Sequence, residues 1–457
     1  MPKLAPNYGT RKKAAIDILC KEFKKNNHIE PELFSTLDVK RGLRNADGTG
    51  VLAGLTLICN VHGYVIDEGE KKPIEGELIY RGYNIKDIVN DCMKNKRFGF
   101  EEVIYLLLFG TLPNEEEINY FKNVLAMHRE LPEGFTEDVI LKKPSKNIMN
   151  KMQSALLSMY TYDNYADSTT IEQELRKAIE IIARIPTIMI SSYQAKCKAY
   201  DKKSLVLHPI NPKESIAQSI LSTLRLDRKY TPQEAHLLDM MLMLHAEHGG
   251  GNNSTFVCRC LTSSGTDAYS AYAGAIGALK GPKHGGANNK VMLMLNDIKQ
   301  GVHNWEDKDE IRNYLCKIMD KKAGDGSGLI YGMGHAVYTK SDPRALILKK
   351  YAMELAKGTE YEPQFKLLQN IEALSPSVFA EKKNDTKVIS ANVDMYSGLV
   401  YKMLGIPEEL FTPLFATARI AGWAAHRMEE NLTGGRIIRP AYKAVTKEIK
   451  YKPMSER

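Results

Sequence analysis

His284 lies in Gly281-Pro-Lys-His284-Gly-Gly-Ala-Asn288, His335 in Gly332-Met-Gly-His335-Ala-Val-Tyr338, and Asp394 in Asn392-Val-Asp394-Met-Tyr-Ser-Gly398. Each string sets one ionisable side chain among small residues, where a substrate can approach the backbone closely. Two imidazoles and a carboxylate are enough to take a proton from one partner and to stabilise charge on another. That chemistry suits carbon–carbon bond formation without a metal.

His284 follows a Gly-Pro break and precedes a stretch, Asn288 to Leu295, that can begin a helix. A histidine at a helix N-terminus sits in positive potential, which disfavours the imidazolium and leaves a neutral ring able to donate to a developing oxyanion. The plainer reading is a capping histidine in a tight turn. Asp342-Pro343-Arg344 starts another helix, and Arg344 either forks onto a carboxylate of a ligand or pairs with Asp342 in an ordinary surface arrangement. Asp394 opens a helix, either as an N-cap or as a base that the helix end keeps ionised.

His245-Ala-Glu-His248 stands about ten residues before Cys258 and Cys260. The spacings fit zinc poorly, since Cys-x-Cys and His-x2-His are not the usual pairs, so no metal is expected. A hydrogen-bonding role for His248 toward an anionic substrate is favoured. Arg419 sits amid small and apolar residues, where an unpaired charge is costly, so it needs an anion from the protein or from a substrate. Arg439, in Gly435-Arg-Ile-Ile-Arg439-Pro440, belongs to a surface loop.

These residues need a scaffold, and the pattern predicts a mainly α fold. Phe100–Phe109 reads as a buried helix stopped by Gly110 and Pro113. Thr231-Pro-Gln-Glu234 is a capping box opening a helix that runs to His245, with Gly249–Gly251 ending it. Residues 268–279, rich in alanine and glycine, form a helix for deep core or a subunit interface. Further helices are expected at 12–27 (with Ala15, Leu19 and Phe23 on one stripe), 307–322, 343–357, 395–404 and 411–431. Only Asp47 to Tyr83 carries β-branched and turn signals, a small hairpin region.

The 457 residues suggest two or three domains. A net charge of +8, from 63 basic and 55 acidic residues, comes without the aromatic-plus-basic clustering of a nucleic-acid reader, so no nucleic acid is expected and anionic substrates explain the sign. Seven scattered cysteines suggest a reduced, intracellular protein, and cytoplasm is the default location. No apolar run of about 18 residues appears, so no membrane span is expected.

At these strings the chain resembles the citrate synthase family. Pro73-Ile-Glu-Gly-Glu-Leu-Ile-Tyr-Arg-Gly-Tyr83, the Phe100–Pro113 segment, His245–Asn252 and the three opening strings occur in family order across about residues 50 to 442. The resemblance implies a citrate-synthase-like two-domain helical fold with a small N-terminal β region: a large domain from 1–285 and 397–457, and a small domain at 286–396 that closes over substrate. It implies a homodimer that condenses acetyl-CoA with oxaloacetate and hydrolyses citryl-CoA, with no cofactor. 2-Methylcitrate synthase, using propionyl-CoA, is the alternative, and a non-catalytic acyl-CoA-binding or oxaloacetate-binding relative a further one. By the same resemblance Asp394 is the base, His284 binds the thioester oxygen and His335 polarises the ketone. His248, Arg344 and Arg419 bind the oxaloacetate carboxylates, and Arg439 reaches across the dimer. Leu329, Gly332, Met333 and Gly334 border the CoA adenine. Gly249 stands where many relatives have glutamate, and Ala391 where many have proline.

Overall fold

Phe100–Phe109 folds as a helix because its apolar residues recur on the helical period, and it stops where Gly110 takes φ 84°, a left-handed value that a residue without Cβ adopts freely. The computed structural model describes residues 8–45, 48–68, 70–383, 388–433 and 435–457, with side chains left aside at 8–15, 26, 70 and 71. Asp47 and the side chain of Ala15 therefore lie outside the described residues. The chain divides into two compact units, residues 1–54 and 55–457. In the first, a helix spans Tyr8–Asn26 and leaves Leu19 and Phe23 exposed.

The second unit holds one small antiparallel sheet, β1 (Cys59–Asp67), β2 (Glu70–Tyr80) and β3 (Tyr83–Asn84), in the order β1-β2-β3. The rest is mainly helical. The Thr231 box forms as the sequence predicts: the Glu234 amide donates to Thr231 Oγ1 (3.2 Å) and the Thr231 amide to Glu234 Oε2 (2.7 Å). Its helix, Pro232–His245, ends before the glycines rather than at them. The other expected helices appear as Ala268–Leu279, Ala287–Gly301, Lys308–Met319, Pro343–Ala356, Asp394–Met403 and Phe411–Thr433.

Phe411–Thr433 is the axis of the core. Every residue from Phe411 to Arg427 is buried, and the helix packs against Phe100–Phe109, Ile171–Tyr200, Pro232–His245, Asn253–Ser263 and Ala268–Leu279. The small-residue helix Ala268–Leu279 lies against Asn253–Ser263 so closely that a Cβ on Gly274 would meet Leu261 Cδ1 at 2.3 Å. The helices Ala287–Gly301, Lys308–Met319, Pro343–Ala356, Glu362–Lys383 and Asp394–Met403 pack largely on one another. Among the described residues, no helix is long and apolar enough to cross a membrane.

Candidate active site

A short piece of main chain brings His335 and Asp394 together. Met333 and Ala391 form an isolated antiparallel bridge. Around it the Gly334 amide donates to Ser390 O (2.8 Å), the Asn392 amide to Gly332 O (2.9 Å) and Asn392 Nδ2 to Gly334 O (2.8 Å). The loop can lie this close because Gly332, at φ +82°, has no side chain; a Cβ there would sit 2.9 Å from Met395 Cα. Gly332→Ala combines that backbone clash with a left-handed φ, so we expect it to destabilise the protein by about 1–3 kcal/mol and to lower activity. A denaturant melt alongside a rate measurement checks both; an unchanged midpoint would contradict the close approach.

Asp342 ties Arg344 to the same support. Its Oδ1 accepts from the Arg344 amide (3.0 Å) and Nε (3.1 Å), and its Oδ2 from Arg344 Nη2 (2.7 Å) and from the Val393 amide (3.2 Å), one residue before Asp394. Arg344 therefore does pair with Asp342, but both are buried, which corrects the surface arrangement weighed from the sequence. A buried bidentate pair fixes the guanidinium plane.

The two catalytic candidate rings are held as neutral donors. His335 Nδ1 accepts from the amides of Val337 (3.1 Å) and Tyr338 (3.0 Å), which leaves the ring proton on Nε2. The ring stacks on Tyr338 with centroids 4.7 Å apart and meets His248 nearly perpendicularly at 4.9 Å. His284 Nε2 accepts from the Ser254 amide (3.4 Å) and faces the Ser254 hydroxyl (3.0 Å), so its proton lies on Nδ1. Burial, and then the charge of Arg419, lower the His284 pKa to about 4. The ring is neutral, as the sequence predicts, but for a different reason: its helix starts only at Ala287, and desolvation dominates.

Asp394 is the first residue of its helix rather than the cap, and Asn392 Oδ1 accepts the Asp394 amide (3.0 Å). Among the described residues no hydrogen bond reaches its carboxylate. Burial raises its pKa to about 6; the charges of Arg344 and Arg419 pull down and Asp342 pushes up. It is thus a base poised near neutrality, ionised at pH 7 despite its surroundings.

His248 is buried, and its Nε2 has no protein partner among the described residues. Burial, followed by Arg344 and His335, holds it well below the usual histidine value. Arg419 shows the same incompleteness. The Phe411–Thr433 helix buries two arginines, and they differ. Arg427 is saturated, with Nε and Nη2 on Glu174 (2.7 and 3.0 Å) and further bonds to Thr262 and Thr266. Arg419 donates from Nε to His245 O (2.7 Å), while its buried Nη1 and Nη2 have no acceptor among the described residues. Buried guanidinium nitrogens without partners are costly unless a ligand supplies the acceptor.

The site thus gathers His284, His335, Asp394, His248, Arg344 and Arg419: the charge of Arg419 is felt at Asp394, His284 and His248 alike. It does not gather Arg439, which is exposed on the segment beyond the last long helix, nor Leu329, exposed at the outer end of the Gly332 loop. His245, weighed as a metal ligand, donates from Nδ1 to Met241 O (2.7 Å), and among the described residues no three His, Cys, Asp or Glu are grouped to hold a metal ion. Ser254 lies in no motif, and Tyr338 ends the His335 string without a role of its own there. They matter because each contacts a histidine distant or offset in the chain.

A carboxylate base, two neutral N–H donors and two arginines can deprotonate a carbon acid, steady the resulting oxyanion and hold a polycarboxylate. A family model described as citrate synthase, C-terminal domain, matches residues 46–441. The chain is 36% identical over 391 residues to citrate synthase 2 of Bacillus subtilis, across 84% of this chain and 94% of that one. It is 30% identical over 410 residues to 2-methylcitrate synthase 2 of Corynebacterium glutamicum, across 89% and 94%. Its fold matches that of the Thermoplasma acidophilum citrate synthase, solved as a ternary complex with carboxymethyl coenzyme A and oxaloacetate. That match has a TM-score of 0.74 and 26% identity over 92% of this chain and 99% of that one.

Proposed function

The chain belongs to the citrate synthase family, and we propose that it condenses acetyl-CoA with oxaloacetate and hydrolyses the citryl-CoA formed, releasing citrate and CoA. The observation that carries this reading is the buried guanidinium of Arg419, whose Nη1 and Nη2 have no acceptor among the described residues and whose charge is felt at His248, His284 and Asp394 alike.

In the proposed reaction Asp394 takes a methyl proton from acetyl-CoA while His284 Nδ1–H donates to the thioester oxygen as it gains enolate charge. The methyl carbon attacks the ketone carbon of oxaloacetate, and His335 Nε2–H delivers a proton to the alkoxide. Water then cleaves the thioester. A thioester α-carbon is a far weaker acid than a carboxyl group, so the first step is steeply uphill, and the raised basicity of Asp394 recovers only roughly 3 kcal/mol of that. Enforced proximity and the His284 hydrogen bond must supply the rest. No cofactor is proposed; acetyl-CoA is a substrate.

His248, Arg344 and Arg419 are assigned to the oxaloacetate carboxylates, and Leu329, Gly332, Met333 and Gly334 to the CoA adenine. Residues 286–396 are proposed as a small domain closing on the rest, a motion that excludes water. In support, their helices pack mainly on each other, the His335 ring lies 4.9 Å from that of His248, and Asp394 feels the charge of Arg419. A homodimer with Arg439 serving the partner's site is supported by the C-terminal segment, on which Arg439 and the apolar Ile437, Tyr442, Ile449 and Tyr451 are all exposed. Seven unpaired cysteines support a cytoplasmic location.

Thiol release with oxaloacetate and either acetyl-CoA or propionyl-CoA tests the assignment. A higher kcat/KM for acetyl-CoA is expected; preference for propionyl-CoA would make the protein a 2-methylcitrate synthase, and no release with either would refute catalysis. The pH profile adds a second check. The base works only when ionised, so kcat/KM is expected to rise with pH to a plateau, with a midpoint near 6. His284 stays neutral above about pH 4 and adds no limb there. A profile flat from pH 5 to 8 would count against Asp394.

A further inference from the structure

Glu247 is fully buried one residue before His248 and takes no part in the chemistry above. Its Oε1 accepts from the amides of His248 (2.8 Å) and Gly249 (2.5 Å). One carboxylate oxygen therefore folds the turn after the Pro232–His245 helix back on itself, and Gly249 completes the turn at φ +86°. A side chain there would be strained in that conformation. The turn fixes where the His248 ring emerges opposite His335.

The carboxylate is in turn faced by a histidine of the central helix. His426 Nε2 lies 3.1 Å from Glu247 Oε1, and both side chains are fully buried. Arg259 donates to His426 Nδ1 from Nε (3.0 Å) and Nη2 (2.7 Å), so the ring's proton is on Nε2, facing Glu247. Burial opposes ionisation of Glu247, but His426 and Arg419 outweigh it and hold the carboxyl below its usual value. Gly422 makes room for this contact. A Cβ at 422 would fall 2.0 Å from Glu247 Oε2 and 2.5 Å from Ala246 O. A glycine in mid-helix otherwise destabilises the helix relative to alanine, so its presence here has a specific cause.

We propose that Glu247, faced by His426 and admitted by Gly422, is a positioning residue that sets His248 for the keto-diacid substrate. The inference rests on the proposed function, because it assigns His248 to oxaloacetate. It acts through an oxygen acceptor, so Glu247→Ala should raise the KM and the calorimetric Kd for oxaloacetate by tenfold or more. The KM for acetyl-CoA, measured at saturating oxaloacetate, should move less than about threefold. Glu247→Gln keeps an oxygen that can accept both amides and should restore most of the lost affinity.

Wild-type turnover is measured first: if the wild type neither binds oxaloacetate nor releases thiol, the proposed function fails. If the wild type is active and folded Glu247→Ala binds oxaloacetate normally, or both KM values rise together, the positioning role is overturned. It is overturned as well if Glu247→Gln is no better than Glu247→Ala. Should Glu247→Ala fail to fold, Gly422→Ala carries the test by displacing the carboxylate, with the same tenfold loss expected and unchanged oxaloacetate affinity as the contrary result.

Discussion

Asp394→Asn is expected to lower kcat by about 10²–10⁴-fold, the range typical of a lost general base, while oxaloacetate affinity stays within a few-fold. Asparagine keeps the size of the side chain and the amide bond to Asn392 that starts the helix. Because no hydrogen bond reaches the Asp394 carboxylate among the described residues, its replacement breaks no network, and the melting temperature should not fall. Desolvation already works against the charged form, so a neutral side chain is well tolerated there. Stopped-flow thiol release and oxaloacetate calorimetry read the two effects separately. A variant with wild-type turnover would remove Asp394 from the chemistry, and one that neither binds nor folds would mean its role is structural.

Arg419→Gln is expected to act on binding instead. Its Nη1 and Nη2 are buried without an acceptor, in contrast to Arg427 on the same helix, whose forked pair with Glu174 is complete. Losing one partner of a buried, hydrogen-bonded charge pair costs about 2–5 kcal/mol, so the oxaloacetate KM should rise by roughly one and a half to three and a half orders of magnitude. The rise in melting temperature that saturating oxaloacetate gives the wild type should disappear. Lysine should not rescue, since a point charge cannot replace a planar fork. An unchanged oxaloacetate KM would assign those nitrogens to something other than the substrate.

How legible the molecule is from its residues depends on how local the determining contacts are. The Thr231 box and the Gly110 stop are readable because both halves of each interaction lie within a turn. The two histidine strings are readable because glycines crowd around each ring. What a string cannot show is what holds its ionisable group. Ser254 sets the tautomer of His284 from thirty residues away. Asp342 is visible beside Arg344, but not its bond to the Val393 amide, which joins Arg344 to the Asp394 helix. Glu247 stands next to His248 in plain view, yet only its two amide bonds and the glycine opposite it reveal a task. The neutrality of His284 is expected from a helix end and arises from burial, a property no local spacing carries.

With both substrates bound, Asp394, His284 Nδ1 and His335 Nε2 should converge on one reacting pair. A crystal structure with oxaloacetate and a non-reactive acyl-CoA analogue bound tests it most directly. The Asp394 carboxylate should lie about 3–3.5 Å from the acyl α-carbon, with His284 on the thioester oxygen and His335 on the ketone oxygen. A complex with both ligands seated and any of these three side chains turned away from its atom would contradict the assignment.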